Sequence, residues 1–134
     1  MEKSSLKPVR LKKRRQFLRA THNGKKFVAS TMVLQVVKQE EFDGIRLGFT
    51  VTKKMGNAVV RNRVRRRLRA VAQSVFSLQA MPGYDYVLVS RKTAFDAPFE
   101  VLNKDLLYLM RLFKKTLLEK KETEQNDANE KTDA

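Results

Sequence analysis

From Val60 onward, apolar residues recur at spacings of four, four, three and four: Val60, Val64, Leu68, Val71 and Val75. That rhythm is the period of an α-helix, so the spacing predicts a long amphipathic helix with one stripe to bury. Gly56-Asn57, just before it, supplies a turn and an N-cap able to accept from the helix's first free N–H groups. Off the stripe the helix is nearly all arginine: Arg61-Asn62-Arg63-Val64-Arg65-Arg66-Arg67-Leu68-Arg69 holds six arginines in nine residues. Arg61 with Arg65, and Arg65 with Arg69, are like charges four apart and repel. Something anionic should compensate. Arginine's planar fork binds phosphate oxygens bidentately, and at about 1.5 Å of rise per residue such a segment can follow several phosphates of an RNA helix. A charge run is usually a solvated face, but this density argues against that plain reading.

The elements around this helix set its context. Leu47, Phe49 and Val51 alternate with Gly48, Thr50 and Thr52, the pattern of a strand with one apolar and one small, polar face, and Lys53 and Lys54 stand at its end. Upstream, Arg10 to His22 reads as a short basic helix ended by Asn23-Gly24. Lys25 to Lys38 is β-branched enough for one or two strands, closing at the acidic turn Glu40-Glu41-Phe42-Asp43-Gly44. Downstream, Pro82-Gly83 breaks the chain before a buried-looking strand, Tyr84 to Val89, which exits at Arg91-Lys92; a last helix carries Leu102, Leu106, Leu109 and Phe113. The order helix, two or three strands, helix, strand, helix predicts an α+β fold, a two-layer sandwich of helices on one small sheet. The other sheet face, toward which Thr50 and Thr52 would point, is left for function. Residues 1–8 are expected to be flexible, 9–118 to form the single domain, and 119–134, charged and Gln/Asn-rich, to be a disordered acidic tail.

Charge then narrows the function. The 134 residues carry +15, distributed as +16 over residues 1–80, +3 over 81–121 and −4 over 122–134. A basic field of that size draws polyanions, of which nucleic acid is the commonest. The absence of cysteine excludes disulfides, thiolate zinc sites and cysteine nucleophiles. The basic start has no apolar run after it to read as a signal peptide, and no stretch approaches the roughly 20 apolar residues of a membrane span. A cytoplasmic protein is expected.

Protein-based catalysis finds little to use. His22 is the one histidine and reads as a turn residue at the end of the first helix; a protein metal site is not expected. Before the tail, the carboxylates outside the acidic turn, Glu2 and Glu119 are Asp85, Asp96, Glu100 and Asp105, which suggest no acid–base pair. Phe17 has two readings. An aromatic on a short amphipathic helix is more often core, yet Arg14, Arg15 and Arg19 beside it match the interleaving of rings and cations that grips single-stranded nucleic acid.

The string TVTKKMGNAVVRNRVRRRLR, Thr50 to Arg69, resembles the signature of the bacterial ribonuclease P protein family, with its K-K-x-G-N-A-x-x-R-N-R core. Arg10-Leu11-Lys12-Lys13, Phe17 and Gly24 are similar to that family's first helix, and Tyr86 to Lys92 to its last strand; together the likeness spans about residues 9–115. It implies an α-β-β-β-α-β-α sandwich with a left-handed βαβ crossover, a hand that periodicity could not supply because about 98% of such crossovers are right-handed. It implies that Arg61, Asn62, Arg63, Arg65, Arg66, Arg67 and Arg69 meet a catalytic RNA. It also implies that Phe17, Thr21, Thr50, Thr52, Lys53, Lys54 and Arg91 line a cleft for the single-stranded 5′ leader of precursor tRNA. Many relatives carry a second aromatic four residues after the first; Thr21 stands there in this chain.

The function so implied is a protein component that helps a catalytic RNA remove the 5′ leader, one protein per RNA, with no catalytic residue of its own and with Mg²⁺ required by the RNA. A basic ribosomal protein is the runner-up, distinguished by ribosome association through high-salt washes. A DNA-binding regulator would need base-reading side chains, and an all-arginine face suits phosphates better.

Overall fold

The computed structural model describes residues 8–132, with the side chains of 77, 78 and 121–132 outside the description. All but Pro8 of the segment expected to be flexible lies outside the described residues. Eight elements follow in order: β1 Val9–Arg10, α1 Arg14–Asn23, β2 Lys25–Val28, β3 Met32–Lys38, β4 Ile45–Thr50, α2 Ala58–Gln79, β5 Tyr84–Ser90 and α3 Phe99–Thr132. The expected order holds, with the two-residue β1 added in front of α1. Val9 and Arg10 are strand only because they lie parallel to Arg46 and Leu47 of β4, and the Leu11 N–H extends the pairing to the Leu47 carbonyl at 3.0 Å. Propensity within two residues cannot announce that.

The sheet runs β1-β4-β5-β3-β2, with β4 and β5 adjacent, parallel and joined through α2. Side chains alternate across it. Met32, Leu34, Val36, Ile45, Leu47, Tyr86 and Leu88 face α2 and α3 and join the helical stripes Val64-Leu68-Val71-Val75 and Leu102-Leu106-Leu109-Phe113 in the main core. At its centre Phe76 meets Tyr86 edge-on at 5.0 Å, and Phe113 meets Tyr84 and Tyr86 at 5.2 and 5.8 Å. Such pairs each add about 0.5 to 1.5 kcal/mol beyond the area they bury. Burial pushes the Tyr86 phenol up, and its hydroxyl is held by the backbone of Met81.

Helix α1 lies on the opposite face. Ala20, Leu11 and Val87 are buried there with Phe17 against them, so α1 covers part of the face left for function. At the far end, α3 runs to Thr132, past the Glu119 boundary at which disorder is expected. Residues 119–132 contain no glycine or proline and are rich in Glu and Lys, good helix formers that let the backbone continue. Among the described side chains, the last apolar residue packed on the core is Leu117.

Candidate nucleic-acid interfaces

Strand pairing lays out the α1 side of the sheet in rows. Val37, Asp85 and Arg46 form one; Lys26, Gln35, Val87 and Gly48 the next; Val28, Val33, Val89 and Thr50 the third. Helix α1 covers the first two. Arg46 donates to both oxygens of buried Asp85 at 2.6 and 2.9 Å, Arg19 reaches Asp85 at 3.3 Å, and Arg15 and Arg19 both reach Glu41 at about 3.0 Å. Hydrogen bonds from Arg15, then Arg19, pull the Glu41 carboxyl down from 4.5 to about 2. The bond to Asp85 raises Arg46 further above its already high value. Arg15 and Arg19 therefore fasten α1 to the sheet through Glu41 and Asp85.

The third row stays open. Val33, Val89 and Thr50 are half-buried, and Val28 is 56% exposed. Phe17 forms the wall above it, because its ring rests on Gly48, where a Cβ would stand 2.6 Å from Phe17 Cε1. Thr21, four residues on, is exposed; its hydroxyl donates to the Phe17 carbonyl at 3.0 Å and lies 3.4 Å from Gln35 Oε1. Because β4 and β5 are parallel, Thr50, Thr52, Lys53, Lys54 and Arg91 leave the sheet at one end. Thr52 stands beyond the strand, which stops at Thr50, and precedes a 3₁₀ turn, Lys53–Met55, whose two lysines are exposed. Arg91 donates to the Ala29 carbonyl at 2.9 Å across the sheet end. The structure thus brings Thr50, Thr52, Lys53, Lys54 and Arg91 to one end of the sheet, with Phe17 and Thr21 on α1 above the same face. Sequence reasoning did not single out the row of valines, Val28, Val33 and Val89, that lies beside these residues; a strand's second face of valines was the available signal.

The arginine helix lies on the other face. Asn57 caps it, its side chain accepting from Val60 N–H at 3.0 Å, as the Gly-Asn pair predicts. A turn of about 100° per residue then sorts the arginines. Arg63 and Arg67 share the flank toward the start of α3, Arg65 and Arg69 share the other, and Asn62 and Arg66 face outward. Arg63 lies over the Phe95 ring at 5.3 Å, and Arg67 donates to the carbonyls of Phe95 and Ala97. Arg65 donates to Asn62 Oδ1 at 3.1 Å, Arg69 lies over Phe49 at 5.7 Å, and Arg61 is half-buried, its Nε without a hydrogen-bond partner. Arg10, which motif reading did not single out for RNA, lines a groove with Asn62, Arg65, Arg66 and Arg69.

Two of the carboxylates considered for chemistry, Asp85 and Asp105, are structural. Asp85 is the buried anchor described above, and Asp105 accepts from Ser30 Oγ, Thr31 N–H and Thr31 Oγ1 at 2.8, 3.0 and 2.6 Å, tying the β2–β3 turn to α3. Among the described residues no group of three or more His, Cys, Asp or Glu is placed to hold a metal ion, and no helix is long and apolar enough to cross a membrane.

Residues 6–114 match the model of the family described as Ribonuclease P. Curated relatives include the "Ribonuclease P protein component" of Paramagnetospirillum magneticum, 42% identical over 106 residues, covering 76% of this chain and 80% of that one. That of Gluconacetobacter diazotrophicus is 44% identical over 102 residues, covering 76% and 88%. Among solved structures, the Staphylococcus aureus RNase P protein superposes with a TM-score of 0.69 at 29% identity, covering 81% of this chain and 97% of that one. The Thermotoga maritima RNase P protein gives 0.66 at 30%, covering 76% and 96%.

Proposed function

This chain belongs to the ribonuclease P protein family, and on that premise we propose that it binds a catalytic RNA through α2 and the single-stranded 5′ leader of precursor tRNA through the α1 cleft. The observation that carries this reading is a pair of unlike surfaces, an arginine-rich helix on one face of the sheet and a Phe17-walled row of valines on the other, which meet at the β4 edge where Phe17, Arg65 and Arg69 line one small pocket. One is a helix of arginines spaced for a phosphate backbone; the other is a narrow apolar floor beside one aromatic ring, with Lys53, Lys54 and Arg91 at its end. A floor of valines with a ring at its wall suits unstacked bases, whereas an arginine flank suits phosphates. Phe17 is the leader-facing ring, Thr21 the adjoining wall, and Thr50, Thr52, Lys53, Lys54 and Arg91 the polar and cationic exit.

The reaction is hydrolysis of the phosphodiester at the 5′ end of the tRNA. Its catalyst in this reading is the RNA with bound Mg²⁺, which activates water and stabilises the leaving oxygen. The protein, one copy per RNA in the cytoplasm, adds leader affinity and holds the RNA's fold. The test is reconstitution. Nuclease-free protein in Mg²⁺ is expected to leave precursor tRNA intact, and addition of the catalytic RNA is expected to release the leader with higher substrate affinity than the RNA has alone. Specific 5′ cleavage by the protein alone, or no effect of the protein on the RNA's substrate affinity, would overturn the assignment.

A further inference from the structure

The arginines of this protein divide by what already occupies them. Arg15, Arg19 and Arg46 are neutralised by Glu41 and Asp85. Arg63 and Arg67 are spent on the corner that leads into α3, through the Phe95 ring and the carbonyls of Phe95 and Ala97. Of the arginines that the described ion pairs leave without a carboxylate, Arg10, Arg65, Arg66 and Arg69 lie together, Arg65 bonded to Asn62 and Arg69 resting over the Phe49 ring with their charge uncompensated. These four surround one open groove of about 590 Å³, floored in part by Val59 and Asn62. Arg10 reaches it from outside the helix, because β1 places it opposite Leu47, on the sheet face that α2 covers. Four guanidinia around one groove repel one another unless an anion sits among them. A single small anion cannot satisfy forks arranged on two elements; a run of phosphates can.

We propose that this groove between β1 and α2 seats the phosphodiester backbone of the catalytic RNA, that Arg10 is one of its phosphate ligands, and that Arg63 and Arg67 are positioning residues that hold α2 against the start of α3. The proposal rests on the catalytic-RNA reading of α2 and changes its membership. It adds a residue from the start of the domain and removes two from within the arginine run.

The experiment is a salt titration of catalytic-RNA affinity for the full chain, with melting curves alongside, on R10A, R65A and R67M. R10A and R65A are each expected to weaken binding roughly tenfold at moderate salt, as loss of a charge-assisted hydrogen bond does. They should flatten the log-log salt slope by about 0.7 to 0.9 and leave the melting temperature unchanged. R67M keeps the aliphatic stem but frees two carbonyls, so it should lower the melting temperature and leave the slope as in wild type. A wild-type slope for R10A, or a slope for R67M as flat as that of R65A, overturns the proposal. Wild-type protein that prefers the catalytic RNA no more than an unrelated RNA would overturn the underlying reading instead, a result visible before any variant is made.

Discussion

Gly48 and Phe17 show how one residue without a side chain can shape a binding wall. A Cβ at Gly48 would stand 2.6 Å from the Phe17 ring and 3.1 Å from Leu11 Cβ, closer than either contact can be without movement. G48A is therefore expected to push the ring off the strand, costing about 1 to 3 kcal/mol of stability as overpacking does. It should also weaken precursor binding more than mature-tRNA binding; a melting curve with both affinities checks this. Phe17→Ala should leave the strand undisturbed yet cost about 1 to 3 kcal/mol of precursor affinity, the worth of one base–ring stack. Thr21→Phe, four residues along on the same face, should add a second platform and tighten it. Mature tRNA has no leader, so equal losses for both tRNAs in Phe17→Ala would show that the ring serves packing alone. Asn57 belongs to this scale too: N57A removes the bond to Val60 N–H and is expected to cost about 1 kcal/mol, read as a lower melting temperature.

Among the elements, α1 depends most on charge. Its apolar contact with the sheet is small, and Arg15 and Arg19 bind it to Glu41 and Asp85. Glu41 sits at about 2 in the folded protein against an ordinary 4.5. A depressed carboxyl stabilises the fold fully above its unfolded value and loses that contribution as pH falls toward the folded one. Docking of α1 should therefore loosen between about pH 4.5 and 2 while the main core persists. Hydrogen exchange of the α1 amides is the measurement. E41Q should bring the faster exchange to neutral pH and remove the acid dependence; unchanged exchange in E41Q would mean that Asp85 and Ala20 hold α1 unaided. The same element marks the limit of what sequence can convey. The stripes of α2 and α3 were legible because a 3.6-residue period survives whatever the helix packs on. The face on which α1 docks was not, since a ten-residue helix with few apolar residues carries no label for the side of a sheet, and Arg15 and Arg19 look alike whether they seek phosphate or carboxylate. Likewise Arg63 and Arg65 are equally off the stripe, and which flank meets α3 is decided by the chain that follows β5.

For the molecule as a whole, a net charge of +15 sets stability and binding against each other. Groups that repel in the free protein gain when an anion arrives, so whatever binds the native groove and not the unfolded chain must raise the melting temperature by mass action. A ligand at about 100 times its dissociation constant adds roughly 2.7 kcal/mol, which for a domain near 100 residues is a shift of about 10 °C or more. Catalytic RNA should produce that shift at low concentration. Sulfate or phosphate, with oxygens that fit the guanidinium fork, should produce part of it at millimolar levels. Sodium chloride at the same ionic strength separates screening from seating, because screening relieves repulsion among all exposed charges alike while seating needs the forks of particular arginines. The expected result is a larger shift with sulfate than with chloride, cut back in R10A and R65A but retained in R67M relative to that variant's own baseline. Equal shifts with both salts, indifferent to R10A and R65A, would show that the fold is relieved by general screening and that the β1–α2 groove holds no preferred phosphate seat.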